Sequence, residues 1–130
     1  MKYKCIRVRV GDRVVVEREH RIVAERVLGR PLPAGACVHH VDEDKGNNAN
    51  QNLVICQDDA YHNELHRRAR ILRAGGNPNT DKYCNDCKRV LPPENFSLRS
   101  YGSRDGRVST CRPCNYVRRK RYPPTKKAVA

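Results

Sequence analysis

Four of the five histidines of this chain lie between positions 39 and 66, on either side of one polar loop. The apolar runs just before and after the loop, Val38–Val41 and Leu53–Cys56, are rich in β-branched residues, which predicts two short strands. The loop, residues 42–51, holds one glycine, three asparagines and three acids, a composition that favours turns over a packed core. Two aspartates then precede a run of good helix formers, Tyr61–Arg73, so the predicted order is strand, loop, strand, helix.

The spacing of these histidines suits a metal ion. His62 and His66 are four residues apart on the predicted helix, so they share one helical face. His39 and His40 are adjacent on a strand, so their side chains point to opposite faces and have different roles. One of the two can face the helix and help to hold a divalent ion. The other can face a substrate and act as a base, because imidazole titrates near neutral pH.

These residues resemble the HNH nuclease motif, also called the His-Me finger or ββα-metal motif. The match consists of His39-His40, then Asn52 twelve positions after His40, then His62. The resemblance extends upstream and covers about Arg13 to Arg70. Further blocks are similar to the homing-endonuclease branch found in phage and intron-borne genes, namely Glu19–Glu25, Leu28–Leu32 and Val38–Asp42.

The resemblance implies a role for each matched histidine. His40 falls on the general base that activates water. His39 falls on a metal ligand, a position that is aspartate in some relatives, and His62 falls on a second ligand. His66 matches a third histidine ligand that only part of the family has.

The resemblance also places Asn52 on the central asparagine, which holds the loop by hydrogen bonds and so orients the base. Asn48 and Asn50 are rival candidates for this position. We assign it to Asn52, because only Asn52 directly precedes the Leu-Val-Ile strand.

The implied activity is metal-dependent hydrolysis of phosphodiester bonds in DNA, giving 5′-phosphate and 3′-hydroxyl products. The active-site ion could be Mg²⁺, Mn²⁺, Zn²⁺ or Ni²⁺, since imidazole ligands favour the later transition metals in affinity without deciding activity. One active site per chain predicts a monomer that nicks one strand. A dimer, an assembly partner and an RNA target remain open.

Two Cys-x-x-Cys pairs follow a breaker cluster at residues 75–80. Twenty-three residues separate the first pair from the second, and this spacing predicts a zinc site. Four thiolates leave no open coordination position, so the zinc should be structural. The residues between the pairs resemble small zinc-ribbon or treble-clef modules found beside phage HNH domains. The four predicted zinc ligands are Cys84, Cys87, Cys111 and Cys114.

The remaining cysteines, Cys5, Cys37 and Cys56, are predicted to be buried free thiols that behave as small apolar residues. A second zinc site built from them is the alternative. The total of seven cysteines is odd, and four form Cys-x-x-Cys pairs, so metal binding in a reducing compartment fits better than a disulfide scaffold. We therefore expect the cytoplasm of a bacterium or of a phage-infected host cell.

The segment before the histidine-rich stretch predicts a β-hairpin and a helix. Valine and arginine alternate over residues 6–10, Gly11-Asp12 provides a turn, and residues 13–16 return. Arg7 and Arg9 on this hairpin either protect its edge or contact phosphate. The helix should run from about residue 18 to Leu28 and end at Gly29, with an apolar stripe of Ile22, Val23, Val27 and Leu28.

The charge of the chain indicates a polyanionic partner. Its net charge is +13, of which residues 82–130 supply +10 (13 Lys/Arg less 3 Asp/Glu) and residues 1–81 supply +3 (14 less 11). Such a field favours nucleic acid by displacing counterions from phosphates. His20 and Arg21 lie in a block that the resemblance marks, but a packing or capping role is favoured for both. The predicted DNA contacts are Arg7, Arg9, Arg21, Arg118, Arg119, Lys120 and Arg121.

Together these features predict an α+β fold. A small ββα-metal, treble-clef-like nuclease core with an N-terminal β-hairpin and helix would occupy residues 1–75, followed by a linker at 76–82. A zinc-ribbon or treble-clef module would occupy 83–117, and a basic tail, disordered until it meets DNA, 118–130. The chain has no Trp and one Phe, so it is poor in large apolar side chains. A domain this small buries a modest share of its surface and often needs a bound metal to stabilise its fold. No run is long and apolar enough for a membrane span, and no targeting segment is expected.

Two rival functions belong to other classes. In the first, the chain is a non-catalytic DNA-binding or regulatory protein whose metal sites are scaffolding. In the second, it is the nuclease subunit of a packaging or recombination assembly and cuts only with a partner. Loss of cleavage on His40→Ala, with folding and binding kept, would exclude the first, and cleavage of plasmid by the isolated chain would exclude the second.

Overall fold

The computed structural model describes residues 2–122, and it confirms the predicted α+β class. Each predicted hairpin and helix of the N-terminal half is present. The strands are β1 (Cys5–Val10), β2 (Arg13–Arg18), β3 (Cys37–His40), β4 (Leu53–Cys56), β5 (Lys82–Tyr83), β6 (Val90–Leu91), β7 (Phe96–Leu98) and β8 (Arg107–Cys111). The helices are α1 (Glu19–Leu28), α2 (Asp59–Arg73) and α3 (Arg112–Arg121).

Contacts between residues divide the chain into two compact units, the first ending at Leu65 and the second beginning at His66. The division falls within helix α2, so the first half of that helix belongs to the first unit and the rest to the second. The boundaries predicted from the sequence, at 75, 82 and 117, stay predictions.

The N-terminal hairpin of the first unit forms as expected. β1 and β2 pair antiparallel, with Val8 opposite Val15, and Gly11 turns the chain with a φ of 60° that favours glycine. Arg7 and Arg9 on β1 are both exposed. Their guanidinium groups are therefore accessible to a phosphate backbone.

Helix α1 lies where it was predicted, but its buried face differs. Gly29 ends it in the left-handed conformation and donates its backbone N–H to the carbonyl of Glu25 at 2.9 Å. The buried residues of α1 are His20 and Ala24, while Val27 is 66% exposed, so its place in the apolar stripe was wrong. The buried core consists of Ala24, Leu32, Ala36 and Val38, with Leu28 and Leu53 packed against it.

Strands β3 and β4 form an antiparallel hairpin in which His39 lies opposite Val54 and His40 opposite Leu53. Successive side chains of β3 point to opposite faces of this hairpin. Helix α2 follows β4, and the Asp58 carboxylate accepts the backbone N–H of Tyr61 at 2.7 Å. That contact caps the helix, at the position where the two aspartates of the sequence predict a helix start.

In the second unit, the end of α2 packs against the chain that follows. Ile71 of α2 is fully buried. A Cβ on Gly76 would lie 2.3 Å from Cγ1 of Val90 and 3.1 Å from Cγ2 of Ile71, so only glycine fits this close approach.

The rest of the second unit surrounds the two cysteine pairs. β5 pairs with β6, and β7 pairs with β8, which leads directly into α3. The side chains of Cys84, Phe96 and Cys111 are completely buried and form the centre of this unit. The single phenylalanine of the chain thus packs against the cysteines.

One prediction about the C-terminal region was wrong. Arg118–Arg121, expected in a disordered tail, form the last turn of helix α3. Pro113 in the first turn suits a helix start, and the residues that follow it contain neither Gly nor Pro until position 123. The remaining residues of the predicted tail, including Lys126 and Lys127, lie outside the described part of the chain. Among residues 2–122, no helix is long and apolar enough to cross a membrane.

Candidate active site and metal clusters

The two adjacent histidines of β3 have separate surroundings, as the alternation of a strand requires. The ring of His39 lies 5.2 Å, centroid to centroid, from that of His62 at an interplanar angle of 71°. The ring of His40 lies 5.3 Å from that of His20, in an edge-on arrangement. The strand therefore directs one imidazole toward α2 and the other toward α1.

His39, His62 and His66 form a candidate metal cluster. One ring nitrogen from each comes within 4.8 Å of the others. His39 is buried and the other two are half-buried, so the cluster is partly shielded from water. His62 and His66 are held at the spacing of one turn of the continuous helix α2. Three neutral imidazoles that leave coordination positions open are a donor set that fits a catalytic divalent ion.

His40 lies in a pocket of polar and aromatic side chains. Its Nε2 is 3.0 Å from Oδ1 of Asn48, and the amide nitrogen of Asn48 donates to Oε2 of Glu19 at 2.7 Å. The ring of Tyr3 lies 6.3 Å from that of His40, centroid to centroid, and lines a further side of the pocket. His40 is only 5% exposed, because residues distant in sequence cover the strand end.

Asn52 holds the loop between β3 and β4. Its buried side chain accepts the backbone N–H of Asp42 at 3.0 Å and donates to Oδ1 of Asp42 and to the carbonyl of Asn47, both at 2.8 Å. The backbone N–H of Val41 in turn bonds to the carbonyl of Asn52 at 2.9 Å. Asn52 therefore joins the start of the loop to its end. Asn48, the rival candidate, instead contacts His40 directly.

The residues around His40 were only partly foreseen. Glu19 and His20 lie within the upstream block that carries the resemblance, but a packing or capping role was favoured for His20 and none was assigned to Glu19. Asn48 was considered only for the place of Asn52. Because the hydrogen bond from Asn48 to Glu19 joins residues 29 positions apart, no local pattern indicates it.

His20 is a buried base next to His40. It is 4% exposed, and its Nδ1 has no hydrogen-bond partner within residues 2–122. Burial, followed by the nearby charge of His40, lowers the pKa of His20 from 6.5 to about 4. This histidine therefore stays neutral at physiological pH.

The low pKa of His20 predicts an acid-sensitive fold. The unfolded chain takes up this proton near pH 6.5 and the folded chain only near pH 4, so the stabilisation present above pH 6.5 is lost as pH falls through that window. The full loss is about 3 kcal/mol. Urea unfolding of the wild type and of His20→Gln at several pH values measures this loss in the free energy of unfolding. The difference between the two proteins cancels the protonation of groups that both proteins share, including the clustered cysteines, and equal pH dependence would contradict the prediction.

Cys37 and Cys56 lie opposite each other on β3 and β4. Burial raises the pKa of both thiols, that of Cys56 to about 11, and the Asp59 carboxylate further raises that of Cys37. Cys37, Asp59 and His62 also converge within 4.8 Å, which places a carboxylate beside one histidine of the candidate metal cluster. Both cysteines are thus neutral thiols at pH 7, whereas Cys5, predicted to be buried, is exposed.

The four cysteines of the second unit form a second cluster, with their Sγ atoms within 4.8 Å of one another. The backbone N–H of Cys111 donates to Sγ of Cys84 at 3.3 Å, a contact that stabilises a thiolate. The Arg89 side chain lowers the pKa of Cys87 to about 6, while the neighbouring Cys111 raises that of Cys114 to about 12. Four sulfur donors held this close together fit a zinc ion.

The predicted DNA contacts are not equivalent. Arg21 is half-buried and donates to the carbonyl of Ala36 at 3.4 Å, so at least part of its role is structural. The basic residues at the end of α3 are exposed. A groove of about 540 Å³ runs beside this helix, and Arg118 and Arg121 contribute to its lining together with Val117 and Tyr122.

Comparison with known families agrees with this geometry. Residues 17–59 match the family model of the HNH endonucleases. The matched segment holds His39, His40 and Asn52 and ends before His62 and His66. No curated protein and no solved structure matches the chain. The first unit therefore contains a segment that is similar to HNH endonucleases.

Proposed function

We propose that the chain is a metal-dependent endonuclease that hydrolyses phosphodiester bonds of DNA. The observation that supports this most is the pair His39-His40. One ring of the pair joins His62 and His66 in a three-nitrogen cluster and the other lies on the opposite face, within a segment that matches the HNH family model. This arrangement puts a metal ligand and a base at adjacent positions, on opposite faces of one strand.

In this proposal His39, His62 and His66 hold one divalent ion as neutral imidazoles, with Mg²⁺, Mn²⁺, Zn²⁺ and Ni²⁺ as candidates. Bound there, the ion would stabilise charge on the phosphate and on the leaving oxygen. His40 takes a proton from water. Asn52 keeps the loop closed, so that the strand end that carries His40 stays in place.

The isolated chain should convert supercoiled plasmid to nicked circles only when a divalent ion is added. The assay compares EDTA-treated protein alone with the same protein in the presence of each candidate ion. Nicking that needs an added ion supports the proposal, and a single site per chain predicts open circles before linear product. Absence of cleavage with every ion would contradict it and favour a binding protein or a subunit that requires a partner.

We also propose that the second unit strengthens DNA binding by contacts to phosphates that read little sequence. Four basic side chains, Arg118–Arg121, lie exposed along one helix end, and the net charge of residues 82–130 is +10 (13 Lys/Arg less 3 Asp/Glu). Helix α3 presents these charges at fixed spacing, where a disordered tail would have to be ordered on binding. The homing-endonuclease branch and the cellular compartment stay predictions.

Replacing these four residues by alanine should weaken DNA binding and make it less dependent on salt. If each contacts one phosphate, the slope of log K against log salt becomes shallower by up to about 3.6. Fluorescence anisotropy with labelled duplex DNA at several salt concentrations measures this slope. A charge-matched control changes the three arginines to lysine and should keep the slope. An unchanged slope in the alanine variant would contradict the phosphate contacts.

A further inference from the structure

A chain of hydrogen bonds connects helix α1 to the proposed base. Oε2 of Glu19, in the first turn of α1, accepts a hydrogen bond from the amide nitrogen of Asn48 at 2.7 Å. Oδ1 of Asn48, in the loop, is 3.0 Å from Nε2 of His40 at the end of β3. All three residues belong to the first unit.

The direction of each hydrogen bond follows from the chemistry of the groups. An ionised carboxylate only accepts, so Asn48 must turn its NH₂ group to Glu19. Its carbonyl oxygen then faces His40, and an amide oxygen only accepts as well. Nε2 of His40 must therefore carry a hydrogen. In a neutral imidazole the other nitrogen, Nδ1, then holds the lone pair.

Nδ1 of His40 is also the ring nitrogen that remains available. Within residues 2–122, the bond to Asn48 accounts for the hydrogen bonding of this ring. His40 as a whole residue keeps 5% of its surface exposed. The rings of Tyr3 and His20 pack beside His40 and limit its rotation.

We infer that Glu19 and Asn48 are positioning residues that hold His40 in the tautomer with Nδ1 as the proton acceptor. This inference rests on the proposed function of His40. A water O–H bond breaks and its proton goes to Nδ1, while the water oxygen forms a bond to phosphorus. The P–O3′ bond breaks, its electron pair stays on O3′, and that oxygen takes a proton from solvent. The imidazolium formed keeps its Nε2–H bond to Asn48, and the Glu19 carboxylate stabilises its charge.

Glu19→Gln tests this relay with little change of shape. Glutamine can accept from Asn48 as glutamate does, but it can also donate. In that case Asn48 reverses and donates its NH₂ group to Nε2 of His40, which favours the tautomer with the hydrogen on Nδ1. The relay therefore predicts one tautomer in the wild type and a mixture in the variant. The matched control is Glu25→Gln on the same helix, because Glu25 accepts the backbone N–H of Leu32 and does not touch His40.

The readout is the ¹⁵N spectrum of the zinc-loaded full chain labelled at histidine, with the His40 signals assigned from His40→Ala. We expect protonated Nε2 and unprotonated Nδ1 in the wild type and in Glu25→Gln, and averaged shifts in Glu19→Gln. Nicking at saturating metal and DNA should show kcat lower by about 3-fold to 10-fold in Glu19→Gln with KM unchanged, a part of the roughly 10²–10⁴ that a general base contributes.

A wild-type spectrum with the proton on Nδ1 would overturn the relay, as would a Glu19→Gln variant with unchanged tautomer and unchanged kcat. The spectrum does not depend on cleavage. If the wild type shows the expected tautomer but cuts no DNA under any metal, the proposed function fails while the positioning of the His40 ring by Glu19 and Asn48 stands. Asn48→Ala removes the oxygen that accepts the hydrogen bond from Nε2 of His40. The same spectrum should then show a mixture of the two tautomers.

Discussion

Replacing His40 by alanine should lower the rate of metal-dependent DNA nicking by about 10²–10⁴-fold, the usual contribution of a general base. The loss should appear in single-turnover rates at saturating metal and DNA, and DNA affinity should stay within about 2-fold, because His40 is 5% exposed and would offer the DNA little surface. Circular dichroism and zinc content would show that the variant is folded.

His39→Ala is the matched comparison, since it removes the neighbouring ring on the opposite face of the same strand. That variant loses one nitrogen of the three-histidine cluster, so its defect should shrink as the metal concentration rises. The defect of His40→Ala should not respond to metal. Full activity in folded His40→Ala would remove the proposed base, whereas DNA binding without cleavage in the wild type would favour the non-catalytic alternative.

Replacing Cys84 by serine should unfold much of the second unit. Cys84 is fully buried, packs beside Phe96, and its sulfur accepts the backbone N–H of Cys111. Structural zinc contributes about 10–16 kcal/mol of apparent binding free energy in zinc-finger peptides, more than the stability of most small domains. The loss of one of four ligands therefore removes the main stabilising contribution to a unit in which, among the described residues, the large and completely buried apolar side chains are Ile71 and Phe96.

The measurements are zinc content by mass spectrometry, and limited proteolysis with mapping of the cut sites. Cleavage should become rapid within residues 82–122 and stay slow within residues 5–56. Cys5→Ser is the control, because Cys5 is exposed and belongs to neither metal cluster. A Cys84→Ser protein that keeps its zinc and its protease resistance would show that the four cysteines are not a structural zinc site.

The histidine pair shows how much could be predicted without coordinates. A strand alternates its side chains, so adjacent histidines had to face opposite ways, and a spacing of four on a helix had to bring His62 and His66 to one face. The cluster of His39, His62 and His66 follows from those two periodicities once strand and helix pack together. The Cys-x-x-Cys pairs were equally informative, since two short-range pairs need only one packing contact to bring four sulfurs together.

The surroundings of His40 could not be predicted in the same way. Burial of its ring depends on Tyr3, His20 and Glu19, which come from the N-terminal segment and α1, and on a loop asparagine. Likewise, Cys5 resembles Cys37 and Cys56 in sequence terms, yet it is exposed because the N-terminal hairpin has little packed on either face.

The amino-acid sequence by itself determined the order of the elements, the opposite orientations of His39 and His40, and the composition of both candidate metal clusters. These depend on backbone periodicity and on ligand chemistry, which act over a few residues. Only the tertiary structure decided that His40 is enclosed and that Glu19 reaches it through Asn48. Such contacts depend on how separate segments pack, and the free energy of packing is shared among many side chains and is not encoded in any one motif.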